Sequence, residues 1–370
     1  MIILQILAII AVPFALLQIE KKWASIKAIV MSYVVGIAIG NFLPSLFDTS
    51  VVTEITGISI ILAIPLMLFP TRIQQVLKQP KTLLVSYALA VIATTISVLV
   101  GFVVFQVDLP DIHLISGMLE GVYTGGTVNL NAIGIAFHVP NELVVLMNGF
   151  DWAFSGFYLL LIFTVLPKIL GFVLPKTESS YVGVTVENES NFGKLTLWQK
   201  TVSLAKGMGL SVLVLGVMAG ISYLGWGGIN EVVLIFGVTG LALVLSTIQG
   251  VQRMPGNMVA SDFLMLVFGF SLGLQANVWQ LFSDRSELFN YFLLTYSLML
   301  VVHLLLARLF RIDVHSFLIS STAAVFGPPF IGPIAESLGN RSLITGGIII
   351  ALIGNAIGTY LGILIIGLLS

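Results

Sequence analysis

Ten apolar segments, separated by short polar or charged loops, follow one another along the chain. A helix needs roughly 18 to 20 apolar residues to cross a bilayer, and these segments are close to that length or longer. The pattern therefore predicts an all-α integral membrane protein with ten transmembrane helices. The predicted spans cover residues 2–17, 26–47, 51–70, 82–107, 141–172, 201–224, 229–248, 257–276, 288–310 and 342–369.

Two further apolar segments, 112–139 and 314–336, are interrupted by glycine and proline, at Gly125-Gly126 and at Phe326-Gly-Pro-Pro-Phe330. Glycine destabilises a helix interior by about 1 kcal/mol relative to alanine. A backbone group without a hydrogen bond costs several kcal/mol in hydrocarbon, so a break persists only where protein or a wet cavity satisfies it. Each break therefore indicates a binding cavity, with a kinked or closely packed helix as the alternative.

A polar stretch at 177–199 divides the chain into two halves with the same layout. Residues 1–176 form a first predicted repeat, with five spans and the interrupted segment 112–139. Residues 200–370 form a second, with five spans and the interrupted segment 314–336. The stretch between them is typical of a flexible connector.

The distribution of basic residues predicts how the interrupted segments cross the membrane, because Lys and Arg concentrate in cytoplasmic loops. If both segments are re-entrant hairpins, 15 of the 16 Lys and Arg residues share one side and only Arg285 lies opposite. If both cross fully, eight lie on each side. We therefore predict two re-entrant hairpins, a cytoplasmic connector and both termini outside. An odd number of spans per half makes the repeats inverted, as in secondary transporters.

Composition excludes several classes of function. The chain is 58% apolar and 9% charged, with a mean hydropathy of +1.08, a net charge of −1 and no cysteine. No basic stripe predicts a nucleic-acid partner, and thiol chemistry is excluded. No His/Glu pair has metal-ligand spacing and no Ser/His/Asp set predicts a nucleophile, so we expect neither an enzyme nor a cofactor beyond a possible sodium ion.

The predicted hairpins place two helix starts near the middle of the membrane. Thr127 begins the second limb of the first hairpin, and Pro328-Pro329 begins that of the second, since proline is tolerated in a first helical turn. Helix N-termini attract anions, so two opposed starts are typical of a site for an anionic group. The candidate substrate-binding residues are Gly125, Gly126, Thr127, Asn129, Gly327, Pro328 and Pro329.

Of the 17 acidic residues, only Glu120, Asp151 and Asp262 fall within predicted membrane segments, where a charge costs at least about 2.5 kcal/mol. Asp151 shares a helix face with Asn148 and Ser155, a set that could bind sodium or a proton. The alternative is an Asp paired with a polar neighbour, and Asp262 could simply reach water. The candidate cation-binding residues are Asp151, Asn148, Asn131, Asn355, Thr359 and Glu120. His303 is more typical of a hydrogen-bonded interior histidine than of a proton relay.

The motif Gly121-Val-Tyr-Thr-Gly-Gly-Thr-Val-Asn129 and the run Gly354-Asn-Ala-Ile-Gly-Thr-Tyr-Leu-Gly362 resemble those of the DUF819 family of bacterial membrane proteins. The resemblance covers nearly the whole chain and includes an Asp after the first motif, matched by Asp151. The family in turn resembles inverted-repeat symporters for glutamate, citrate and bile acids. Two departures stand out: the family's G-G-P-A-T is Phe326-Gly-Pro-Pro-Phe here, and its usual tyrosine before A-I-G-T-Y is Asn355.

The sequence favours a sodium- or proton-coupled carrier of a small organic, carboxylate-bearing solute. A cation/proton antiporter is the main alternative, because it needs only the acidic residues, and a channel is a third. We expect the protein to lie in the bacterial cytoplasmic (inner) membrane. Its expected partners are membrane lipid, the solute and a second copy in a homodimer, and no nucleic acid is expected.

Overall fold

The structure, a computed structural model, describes residues 2–23, 28–70, 81–107, 109–177, 192–229, 231–276 and 287–370. Parts of the predicted topology fall outside this range, namely most of the 177–199 connector, Lys27, and the loops with Arg72, Lys78 and Arg285. Every regular element in the described residues is helical.

The helices are labelled in chain order. They are α1 (Ile2–Trp23), α2 (Ala28–Phe42), α3 (Thr49–Leu68), α4 (Lys81–Phe105), α5 (Ile112–Gly125), α6 (Thr127–Ala136), α7 (Asn141–Thr164), α8 (Leu166–Leu170), α9 (Leu197–Trp226), α10 (Glu231–Leu245), α11 (Gln249–Gln252), α12 (Asn257–Gln275), α13 (Glu287–Leu309), α14 (Val314–Val325), α15 (Ile331–Ser337) and α16 (Ile344–Leu369). Single 3₁₀ turns precede α3, α15 and α16.

The predicted spans coincide with helices, and eight helices in the described residues are long and apolar enough to cross a membrane. The other two spans contain α2 and α10, which have 15 residues each and would rise only about 22 Å. One span was predicted too long: 141–172 contains both α7 and the short α8. Pro167 explains the interruption, because proline has no N–H to continue the helical ladder.

The chain divides into two compact units, and each takes helices from both halves of the sequence. The first unit contains α1, α2, α3 and α9 to α12, together with residues 335–345. Its centre is α12, which packs along α2 and α3. A side chain at Gly36 or Gly273 would run into the backbone of the opposite helix, so α2 and α12 are in backbone contact. Val52, Val267 and Phe270 fill the adjoining core.

The second unit contains α4 to α8, α13, α14, the start of α15 and most of α16. Helix α4 packs against α5, α13 and α14. Here α5 and α16 run antiparallel, and each helix contributes three glycines, four residues apart, to the contact. The pairs are Gly117 with Gly362, Gly121 with Gly358 and Gly125 with Gly354. These six residues form what we call the glycine interface, and their missing side chains let the two backbones touch.

The glycine interface predicts that the stability of the protein is sensitive to a side chain at Gly117. A methyl group added there would lie 2.6 Å from the carbonyl oxygen of Gly362, which is backbone and cannot turn aside. We expect Gly117→Ala to lower the free energy of unfolding by about 1 to 3 kcal/mol, measured by denaturation of the purified protein.

Gly220→Ala on α9 is the matched control, because nothing lies within 4 Å of the added methyl group. Alanine should leave stability unchanged there or raise it by up to about 1 kcal/mol through helix propensity. Equal effects of the two substitutions would contradict the close packing of α5 against α16.

Candidate binding site at the helix breaks

The first break is a single residue, Gly126, between two helices. Helix α5 ends at Gly125 and α6 begins at Thr127, as the sequence predicted. Gly126 has φ of +91°, a conformation that side chains disfavour. The chain reverses there, because Met118 of α5 reaches Gly134 of α6. Helices α5 and α6 therefore form a hairpin within the second unit.

The second break is also at a single glycine, Gly327, whose φ is +77°. Helix α14 ends at Val325, and a 3₁₀ turn begins at Pro328 before α15. Proline has no N–H, so the first two residues of this turn offer no backbone donor. The N–H of Ile331 is already bonded to the carbonyl oxygen of Pro328. The second break thus supplies fewer donors for an anion than the first.

The two breaks meet, although about 200 residues separate them in the sequence. A methyl group added to Gly126 would lie 3.4 Å from the carbonyl oxygen of Phe326, and one added to Gly327 would lie 3.6 Å from that of Gly125. Asn355 of α16 adjoins both: its Oδ1 would lie 3.8 Å from a methyl group on Gly327, and its backbone nitrogen 2.6 Å from one on Gly125. The breaks and Asn355 therefore form one site.

Two of the last carbonyl groups of α5 accept hydrogen bonds from side chains of α4. A helix end leaves such carbonyls without intrahelical partners. Tyr87 donates its hydroxyl to the carbonyl oxygen of Thr124 at 2.8 Å, and Thr94 donates to that of Tyr123 at 3.0 Å. The sequence interpretation missed both residues. The hydroxyl groups of an otherwise apolar α4 were the available signal.

Asp151 lies beside the first break and is only 2% exposed. Its Oδ2 accepts a hydrogen bond from Thr127 Oγ1 at 2.9 Å, and its Oδ1 accepts one from Ser155 Oγ at 3.2 Å. Each carboxylate oxygen thus has its own hydroxyl donor. These three residues present oxygen atoms only, which is the ligand type that hard cations prefer.

Three of the four predicted asparagines form two separate hydrogen-bonded pairs, Asn131 with Asn148 and Asn129 with Thr359, rather than one cluster. Asn131 and Asn148 exchange hydrogen bonds between α6 and α7, at 2.8 and 3.4 Å. Asn129 Oδ1 accepts from both the backbone nitrogen and the hydroxyl of Thr359 on α16, at 3.0 and 2.7 Å. Asn129 Nδ2 is buried and has no hydrogen-bond partner among the described residues. One pair is therefore an amide link between helices, and the other leaves a donor unused.

The remaining candidates lie in different surroundings. Glu120 is fully buried between α5 and α4, where Thr95 Oγ1 donates to its Oε1 at 2.8 Å. Asp262, in the first unit, forms an ion pair with Arg341 at 2.7 Å. His303 is buried, hydrogen-bonded to Ser86 and stacked on a phenylalanine, as expected for an interior histidine.

These features define a multi-pass integral membrane protein with a buried carboxylate and hydroxyl groups beside two helix breaks. The chain belongs to the DUF819 family, described as "Protein of unknown function (DUF819)", which matches residues 5–370. It is 24% identical over 317 residues to YjcL, an uncharacterized membrane protein of Bacillus subtilis (strain 168), covering 81% of this chain and 79% of the relative. The resemblance drawn from the two glycine motifs is confirmed at the level of the family.

The reciprocal bonds between Asn131 and Asn148 predict energetic coupling. We expect Asn131→Leu and Asn148→Leu each to lower the free energy of unfolding, and the double variant to lose less than their sum by about 0.5 to 2 kcal/mol. Denaturation of the four proteins measures this coupling.

The comparison pair is Asn131→Leu with Thr359→Val, because Thr359 bonds Asn129 and not Asn131. Their effects should add to within about 0.5 kcal/mol. Coupling as large as that of the first pair would contradict the separate arrangement of the two amides.

Proposed function

We propose that this protein is a secondary active transporter in which a cation at Asp151 is coupled to uptake of a small organic, carboxylate-bearing solute at the two helix breaks. The observation that carries the proposal is the contact between breaks from opposite halves of the chain, beside a buried carboxylate. Irregular backbone at membrane depth is tolerated where it lines a cavity, and transporters use such broken helices for substrate and ion.

The coupling ion binds at Asp151 in this proposal. A buried carboxylate is costly unless a cation or a proton neutralises it, and intramembrane acids are functional candidates for this reason. Thr127 links this carboxylate directly to the first break, because it is the first residue of α6. An ion at Asp151 would therefore alter the position of the same residue that begins the substrate site.

The solute binds at the start of α6. The first amide groups of a helix have no intrahelical acceptor and carry partial positive charge, so they favour a carboxylate. The unused Nδ2 of Asn129, the third residue of α6, is a further donor. Phe326, Phe330 and Tyr158 stack beside the second break and offer an apolar surface for the rest of the solute.

In the membrane, the proposal includes ten spans in two inverted repeats, with the hairpins 112–139 and 314–336 entering from opposite sides. The helices α2 and α10 are short for a bilayer, so either the bilayer thins around them or the residues that flank them complete the crossing. The protein is then an inner-membrane carrier with a cytoplasmic 177–199 connector and both termini outside, and a homodimer remains part of the proposal.

The topology can be tested by single-cysteine labelling, because the chain has no cysteine of its own. We expect an impermeant maleimide applied to intact cells to label Ser370→Cys but neither Ser190→Cys in the connector nor Arg253→Cys. Permeabilised cells, in which all three must react, provide the control. Labelling of the connector from outside would contradict the inverted arrangement.

The ion site can be tested with sodium and protons before any solute is known. A ligand that binds only the folded state stabilises it by about 2.7 kcal/mol at 100 times its Kd. We expect thermal unfolding of the wild type to show such stabilisation across a sodium series or a pH series, and Asp151→Asn to lose it. Losing one charge-assisted contact weakens ion binding about ten- to a hundredfold.

Asp262→Asn is the control, because its carboxylate already pairs with Arg341. This variant should unfold at a lower temperature but keep the ion dependence of the wild type. If Asp151→Asn keeps the full dependence on both ions, the assignment of the coupling site is wrong.

A cation/proton antiporter is the second candidate, and the presence of two buried carboxylates, Glu120 and Asp151, favours it. Counterflow in proteoliposomes separates the two functions. A carrier exchanges labelled solute, chosen from carboxylic acids that stabilise the purified protein, whereas an antiporter moves only ions.

A further inference from the structure

Glu120 is a buried acid whose two oxygens have unequal surroundings. The side chain is fully buried, on α5 six residues before Gly126. Its Oε1 lies 2.8 Å from Thr95 Oγ1 and 3.4 Å from Thr124 Oγ1. Its Oε2 is buried without a hydrogen-bond partner among the described residues. Asp151 differs, because each of its oxygens accepts from a separate hydroxyl.

The lack of a partner at Oε2 makes the ionised form of Glu120 costlier to bury than the neutral acid. An ionised carboxylate shares its charge between both oxygens, and a buried charged oxygen without a donor is far costlier than a neutral carbonyl oxygen in the same place. A protonated Glu120 with its hydrogen on Oε1 leaves only such a carbonyl oxygen at Oε2. The arrangement therefore suits the neutral acid.

Thr95 can serve both protonation states without moving. A hydroxyl has one donor hydrogen and two acceptor lone pairs. Thr95 Oγ1 lies 2.8 Å from Glu120 Oε1 and 3.2 Å from the carbonyl oxygen of Val91. When Glu120 is ionised, Thr95 donates to it. When Glu120 is protonated, its O–H donates to Thr95, and Thr95 donates to Val91. A proton can therefore bind or leave while the heavy atoms stay in place.

The neighbouring helices supply no cation that could replace the proton. On α4, Tyr87 donates its hydroxyl to the carbonyl oxygen of Thr124, and Lys81 is exposed at the first residue of the helix. On α13, Tyr291 is hydrogen-bonded to Ser116 and His303 to Ser86, and Arg308 donates to the carbonyl oxygen of Val173. Helix α6 has no titratable side chain, α14 has only His315 in its first turn, and α16 has only the exposed Tyr360. No Lys, Arg or His forms an ion pair with Glu120 in the described parts of the chain. Glu120 and two threonine hydroxyls are also few oxygens for a metal cation.

We propose that Glu120 is a proton-binding site, separate from the cation site at Asp151, with Thr95 as the hydroxyl that accommodates both protonation states. The proposal deepens the proposed function and rests on it for the use of the proton in transport. A proton from water converts the Glu120 carboxylate to the acid, and the reverse step returns it to water. Protons then act at Glu120 and the coupling cation at Asp151.

Infrared difference spectroscopy of the purified protein in lipid vesicles, without sodium or solute, tests this site directly. A protonated carboxylic acid has a C=O stretching band that its carboxylate lacks. We expect a pH titration of the wild type to show a buried-acid band that weakens as the pH rises. Asp151→Asn, which removes the other buried acid near the first break, should keep this band. Glu120→Gln, which keeps the shape of the side chain, should remove it when combined with Asp151→Asn.

Thr95→Val provides a second variant that retains the acid and removes its hydrogen-bond acceptor. Its band should move to the higher frequency of an acid without that bond, whereas Thr164→Val, an exposed hydroxyl bonded to its own helix, should leave the band unmoved. A band that is constant with pH in the wild type, survives in Glu120→Gln combined with Asp151→Asn, disappears in Asp151→Asn or does not move in Thr95→Val overturns the proposal.

The same spectra separate this inference from the proposed function. Sodium added to the wild type should leave the Glu120 band in place, and removal of the band by sodium would mean that sodium, not a proton, occupies the site. Absence of solute exchange in vesicles would contradict the carrier and leave the band unaffected.

Discussion

The contact between α5 and α16 through six glycines is the constraint on which the candidate site depends. Backbones in contact leave no room for side chains, so the register of the two helices is fixed along three consecutive turns. Gly125 and Gly354 are the last pair, and the helix that ends there must turn at Gly126. The site forms where this interface ends, with Asn355 next to the last contact. A side chain at any of the three levels would move the break relative to α16.

Ending a helix inside an apolar unit creates backbone groups that water cannot reach, and the neighbouring helices compensate for this. Tyr87 and Thr94 donate hydrogen bonds to the carbonyl oxygens of Thr124 and Tyr123 near the end of α5. The buried hydroxyls of α4 are therefore a consequence of the break as well as part of its surroundings. The same helix supplies Thr95 to Glu120, so one face of α4 satisfies both the backbone and the acid.

Particular residues show how far the candidate site could be predicted. The face shared by Asp151 and Ser155 follows from helical periodicity, and the structure contains that hydrogen bond. The start of α6 at Thr127 follows from the glycines before it. The sequence did not predict that Asn129 and Asn131 have different partners. They are two residues apart on a short helix, and their partners belong to different helices. Glu120 was included with the cation ligands, although its contacts are with α4.

Hydropathy, glycine and proline act locally along the chain, so the amino-acid sequence was enough to predict a helical membrane protein with two breaks in corresponding places. The spacing of four residues between Gly117, Gly121 and Gly125, and between Gly354, Gly358 and Gly362, is also typical of helices in close contact. The contacts between helices became known from the folded structure: the breaks adjoin each other, each unit takes helices from both halves, and Asp151 and Glu120 differ in their donors. Helix contacts of this kind depend on the register of distant segments, which no local pattern encodes.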